Sequence, residues 1–237
     1  MSAPDEMKLV RHIRAFTPRE VRAWEQIDDG IRIGAAVAAD YARMSAGFTR
    51  MSAGARAPLA APYEEVWIVT AGTMTIDSAD GSTVARPGDL VHLHPASRGE
   101  FSVTADLAML ALAFPPVWEI ELAEWEVARE QSTAGPFARI VSSRHDTHRR
   151  HGADRLFLAA EAGQHFEVGF IRAGARVEFD APNDQVIVAT TGRFQIRGAG
   201  PVGRTIVVEQ GEFAYLPAGS SGTLSAEPGA EMAWARL

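Results

Sequence analysis

Side chains able to do chemistry gather in two short stretches of this chain. In "PYEEVWIVT", Tyr63, Glu65 and Trp67 stand at alternate positions. On a strand, alternate residues share a face, so a carboxyl and two aromatic rings would stand together. A carboxyl beside an aromatic ring, away from water, holds its proton to a higher pH and can give or take one near neutrality. In "GDLVHLHPASRGE", His92 and His94 form a His-x-His pair, again one face of a strand. Arg56 precedes the first stretch, and Arg98 and Glu100 follow the second. An arginine so placed could grip a substrate carboxylate with two parallel hydrogen bonds. The set reads as a pocket for a small polar molecule, with Glu65, His92 and His94 as acid–base groups. Arg56, Tyr63, Trp67, Arg98 and Glu100 would be the binding groups. Two alternatives stay open: Glu65 paired with Arg56 while both histidines lie on an outer face, and a metal held by His92, His94 and Glu65.

The elements that must position these residues are written twice. "AGARAPLAAPYEEV" (residues 53–66) returns as "AGARVEFDAPNDQV" (residues 173–186), 120 positions later and without a gap. Gly72 pairs with Gly192 at the same offset; Gly88 pairs with Gly211 at 123. The drift falls in the turns "DSADGST" and "RGAGPVGRT", where insertions are tolerated. Two copies of one unit follow, roughly 40–115 and 165–237. Each is made of short runs rich in β-branched and aromatic residues, broken by glycine and proline turns, as in a sandwich or small barrel. The expected division is 1–115 for a first barrel with a helical arm, 116–152 for a linker, and 153–237 for a second barrel.

Two helices are expected outside the repeats. "TPREVRAWEQI" carries a capping box, with Thr17 as N-cap, Pro18 at the first helical position and Glu20 at the third. In "VWEIELAEWEVAREQ" (residues 117–131), Trp118, Leu122, Trp125 and Ala128 or Arg129 fall near helical spacing. The run "HDTHRRH" places His145, His148 and His151 three apart among arginines. It reads as an anion-binding lid, a metal cluster or a solvated basic linker.

This tandem resembles the cupin superfamily in its bicupin arrangement, and is most similar to ethanolamine-utilisation-type and ureide-metabolism-type cupins. The matching residues are Glu65-x6-Gly72, with Gly54 near the motif's start, and the "GD" turn at Gly88 followed by "PASRG". The resemblance implies an all-β fold of two double-stranded β-helix (jelly-roll-like) barrels, with Glu65 and Trp67 pointing into the first. It also implies outer strands that pair two chains into a homodimer. The family's usual metal is held by three histidines and a glutamate. Here the histidine positions hold Pro58, Ala60 and Gly99 in the first repeat. The four ligand positions of the second hold Glu178, Asp180, Gln185 and Gly222. An oxygen-only site for a hard cation is one reading of the second set, and a solvated strand end is the other. No metal and no other cofactor is expected.

Composition narrows the functions. There is no cysteine, which removes disulfides, thiolate ligands and a thiol nucleophile. The net charge of −7 argues against a nucleic-acid partner. No apolar run is long enough to span a membrane, and the start lacks the apolar core of a secretion signal, so a cytoplasmic place is expected. No nucleophile elbow, P-loop or dinucleotide fingerprint occurs. What remains is a bicupin that binds a small molecule. It could be a metal-independent isomerase, lyase or cyclase working in the first barrel, a ligand-binding or sensing protein without chemistry, or an inert scaffold.

Overall fold

The computed structural model of this chain describes residues 11–79, 81–130, 139–142, 149–150, 155–158, 165–172, 176–199 and 204–237. Its strands in chain order are β1 (Arg14–Phe16), β2 (Glu25–Asp28), β3 (Ile31–Ala35), β4 (Ser45–Met51), β5 (Arg56–Leu59), β6 (Glu64–Ala71), β7 (Met74–Ser78), β8 (Gly81–Ala85), β9 (Asp89–Leu93), β10 (Gly99–Val103) and β11 (Leu107–Phe114). After the helix α1 (Leu122–Glu130) come β12 (Arg139–Ser142), β13 (Arg149–Arg150), β14 (Arg155–Leu158), β15 (Glu167–Arg172), β16 (Val177–Ala181), β17 (Gln185–Thr191), β18 (Phe194–Gly198), β19 (Thr205–Val208), β20 (Phe213–Leu216), β21 (Ser220–Ala226) and β22 (Glu231–Arg236).

Two barrels are built on one plan. In barrel one the sheet β12-β9-β6-β11-β4-β3-β2 faces the sheet β5-β10-β7-β8. In barrel two β1-β20-β17-β22-β15-β14-β13 faces β16-β21-β18-β19. Each barrel encloses its own apolar core, and a third core joins the two seven-stranded sheets back to back. The strands alternate accordingly: on β6, Val66 and Ile68 enter the shared core while Trp67 and Val69 enter barrel one. Phe16, Phe48 and Phe213 lock the shared core, with Phe16 stacked on Phe213 at 4.9 Å and Phe48 tilted against it at 5.3 Å. Each such ring pair adds about 0.5–1.5 kcal/mol beyond the area it buries. The barrels also exchange strands at their edges, since β1 pairs with β20 and β12 with β9.

The repeat's glycines are steric necessities. Gly72 and Gly192 close equivalent hairpins at φ +78° and +68°, a conformation that favours glycine. Gly99 and Gly222 leave no room for a side chain. A Cβ there would sit 2.2 Å from the carbonyl oxygen of Asp77 or Arg197.

One expected helix forms and the other does not. Residues 117–131 give a 3-10 turn at Val117–Glu119 and then α1. The capping box at Thr17 makes a single turn, with Glu20 N–H donating to Thr17 O at 3.0 Å and Arg19 N–H to Thr17 Oγ1 at 3.3 Å. No helix follows. Val21 and Trp24 pack on the shared core, Arg50 covers the Trp24 ring at 4.4 Å, and β2 begins at Glu25. One hydrogen-bonded turn is only the costly nucleus of a helix, and tertiary contacts take the chain elsewhere.

Candidate functional site

The inner face of barrel one can be read from strand register, because directly paired residues share a face. One row runs Ser45, Ala113, Glu65, Leu93 across β4, β11, β6 and β9. The next runs Gly47, Ala111, Trp67, Val91. A third holds Thr49, Met109 and Val69. From the opposite sheet, Leu59, Ala57 and Phe101 complete the wall. Glu65 and Trp67 are therefore large side chains facing small ones. Glu65, Ala57 and Ala111 keep partial exposure amid a buried core, so the lumen is open at this level.

The Glu65 carboxyl is poised. Burial raises its pKa to about 7, against a smaller lowering by the Trp67 indole. That indole Nε1 is near enough to act on the carboxyl, yet it is buried and lies outside hydrogen-bond geometry with any partner. Thr49 Oγ1, one row deeper, is also buried and unpartnered. Buried polar groups are nearly always satisfied, and these two are among the exceptions in the described residues. Tyr63 stands above Glu65. Burial and the nearby carboxyl push its phenol pKa up. Trp125 of α1 meets the Tyr63 ring edge-on at 5.2 Å, which sets the linker helix against this end of the barrel.

The other expected residues do not join them. Val66 pairs directly with His92, so His92 shares the outer face with the inter-barrel core. His94 stacks beside it, with ring centroids 6.2 Å apart. No histidine partner for Glu65 arises from β9. Arg56 and Glu100 are exposed on the outer side of their sheet, so Arg56 does not pair with Glu65. Arg98 is buried, but its Nη1 donates to Pro95 O at 2.8 Å and Ser97 O at 2.7 Å, closing its own turn. The luminal residues of β5 are Ala57 and Leu59, and Pro58 points outward. In barrel two, Glu178 and Asp180 are exposed while Val177, Phe179 and Ala181 turn inward, so these acids do not converge with Gln185. His145, His148 and His151 lie outside the described residues.

His92 instead belongs to a network between the barrels. Its Nε2 donates to Glu64 Oε1 at 2.6 Å. Glu64 also accepts from the N–H of His165 at 2.6 Å, from His165 Nδ1 at 3.0 Å and from the N–H of Phe166 at 3.0 Å. Burial alone would raise the Glu64 pKa, but these donors bring it below the usual carboxylate range. Asp184 repeats the device. It accepts from Tyr215 Oη at 2.6 Å, from Arg11 Nη1 and Nη2 at 2.7 and 3.0 Å, from the N–H of Ala218 at 2.8 Å and from the N–H of Arg43 at 3.2 Å. Its pKa too is lowered against burial, chiefly by Arg11 and Tyr215. Each barrel thus holds the backbone leading into the other's β4 or β15. The repeat signals this pair, since an acid stands at both 64 and 184.

Residues 30–120 match the family model of the ethanolamine utilisation protein EutQ. The protein Ylba from E. coli superposes with a TM-score of 0.71 at 12% identity, covering 98% of this chain and 94% of that one. A cupin 2 conserved barrel domain protein from Leptotrichia buccalis gives 0.59 at 12%, covering 97% and 99%. This chain is a bicupin by fold. A salicylate 1,2-dioxygenase variant from Pseudoaminobacter salicylatoxidans, solved with gentisate, gives 0.65 at 11%, covering 95% and 82%. No curated protein matches the sequence.

Metal chemistry, which the cupin resemblance implies, does not fit the bicupin's described residues. Among them no three His, Asp or Glu side chains converge as ligands. Glu65 faces the lumen while His92 and His94 face away from it, and the row that could supply further ligands holds Ser45, Ala113 and Leu93. Among the described residues no helix is long and apolar enough to cross a membrane.

Barrel two fills the equivalent rows differently. Opposite Gln185 stand Arg236 and Glu167, joined as an ion pair through Arg236 Nε. Beside them Trp234 takes the place of Ala111 and Ile187 that of Trp67. The Arg236 guanidinium lies 5.6 Å from the Trp234 ring centre.

Proposed function

We propose that this bicupin binds a small polar molecule in barrel one, at Glu65 and Trp67, and that barrel two is its scaffold. The observation that carries this reading is a luminal carboxyl with no cationic partner among the described residues. Small residues face it, and an unsatisfied indole N–H lies beside it. A pocket of apolar walls with a few convergent polar groups is the usual form of a small-molecule site. The same residues support proton transfer within the bound molecule. A carboxyl with a pKa of about 7 can act as acid or base at neutral pH, which would make the protein a metal-independent isomerase, lyase or cyclase.

Thermal-shift screening against small amines, sugars and carboxylates tests the binding. A molecule that binds the folded state raises Tm by mass action. The shift is expected to vanish in Glu65→Gln and to persist in Gln185→Ala. A shift that survives Glu65→Gln and disappears in Gln185→Ala would place the site in barrel two instead.

A further inference from the structure

Barrel two carries, in its own chain, the group that barrel one lacks. On its central strand β22, Arg236 stands between Gln185 of β17 and Glu167 of β15. There the guanidinium pairs with a carboxylate and lies near an indole. Barrel one keeps a carboxylate and an indole in the matching rows, as Glu65 and Trp67. The residue matching Arg236 is Ala113, and the one matching Glu167 is Ser45. The row position that carries an arginine in one barrel carries an alanine in the other, and a carboxyl borders it.

We infer that the molecule bound in barrel one is a small organic cation, an alkylammonium or alkylguanidinium group seated opposite Ala113 against Glu65. The inference rests on the reading of barrel one as the binding site. A cation supplies the charge that Glu65 lacks, and charge-assisted hydrogen bonds are about twice as strong as neutral ones. The rings of Trp67 and Phe101 in the barrel-one core favour a cation further, and Ala57 and Ala111 accommodate its alkyl part. A neutral alcohol leaves the charge unpaired, and a carboxylate adds a second negative charge to a partly desolvated site. Neither Arg56 nor Arg98 competes, since one is exposed on the outer side of its sheet and the other closes the β9–β10 turn.

Four probes of similar size test the charge class at about pH 8, where a carboxyl of raised pKa is ionised: ethylammonium, methylguanidinium, propionate and 1-propanol. Binding to the whole protein is read by ligand-observed NMR and by Tm. Ethylammonium and methylguanidinium are expected to bind at least tenfold more tightly than 1-propanol, with propionate weakest. Glu65→Gln should weaken the cations at least tenfold. Ala113→Arg, which writes the barrel-two arrangement into barrel one, should abolish their binding. Propionate or 1-propanol binding as tightly as the cations, and lost in Glu65→Gln, would overturn the cation while leaving the site. Binding indifferent to both substitutions, or no binding by any probe, would overturn both.

Discussion

Barrels one and two share a backbone plan and a strand register, yet they fill the same two luminal rows in opposite ways. In barrel one the bulk sits on β6, as Glu65 and Trp67, facing Ala113, Ala111, Ser45 and Gly47. In barrel two it sits on β22, as Arg236 and Trp234, with Glu167, Gln185 and Ile187 closing around it. Barrel two pairs its own luminal charges. Barrel one has a carboxyl with no cationic partner among the described residues, and small side chains on the strand opposite. The outer face shows the reverse pattern, because Glu64 with His92 and Asp184 with Tyr215 occupy equivalent positions and do the same work. What duplication kept alike joins the barrels, and what it let diverge fills their two lumens.

The largest expected effect tests the shared half of that comparison. Glu64→Gln and Asp184→Asn should each cost about 3 kcal/mol, since each removes a buried charge on which four or more donors converge. Urea melts near pH 7 measure this, and a cost below about 1 kcal/mol for either variant would end the equivalence. The pKa of both carboxyls is lowered on folding. Their stabilisation is therefore complete above the ordinary carboxylate range and is lost as pH falls through and below it. Both variants should accordingly converge on wild type in acid.

The middle effect has the opposite sign. Folding raises Glu65 from 4.5 to about 7, so ionising it disfavours the folded state progressively across that window. Glu65→Gln should stabilise the protein at about pH 8 by about 2 kcal/mol, allowing for residual water contact, and change little near pH 4. Thermal melts across that range give the answer, and a destabilised variant at the alkaline end would show that Glu65 already has a partner. The smallest effect sharpens the contrast. Gln185→Glu places a carboxyl beside Arg236, and should change stability by less than about 1 kcal/mol with its pKa in the ordinary range. NMR can follow the introduced carboxyl, and a titration of it as high as that of Glu65 would mean that Arg236 does not neutralise the mouth of barrel two.

Much of the fold was legible because its signals are local. The doubled "AGAR…AP" stretches, the paired glycines and the β-rich runs were enough for two like barrels. The helical spacing of Trp118, Leu122 and Trp125 was enough for the linker helix, whose last turn ends at Glu130. The Thr17 capping box misled because its turn is real, while the fate of Val21 and Trp24 depends on a core assembled from distant strands. The inward facing of Glu65 and Trp67 followed from strand alternation and the resemblance. For His92 and His94 the same reasoning points to the wrong face. Alternation says that they share a side but not which side, and one residue of register exchanges lumen for exterior.

By itself the sequence determined the duplication, the β-strand class, the missing histidines and the presence of an acid at both 64 and 184. These are properties of residue order, fixed by spacing and by which side chains exist. Tertiary structure alone decided that Glu64 joins the barrels while Glu65 enters one, that His92 serves the first and not the second, and that Glu65 faces Ala113 while Gln185 faces Arg236. Each of those outcomes depends on which strands become neighbours and in what register. Pairing between residues distant in the chain, such as Glu65 with Ala113 and Gln185 with Arg236, is set by the burial of whole faces and not by any local run of the chain.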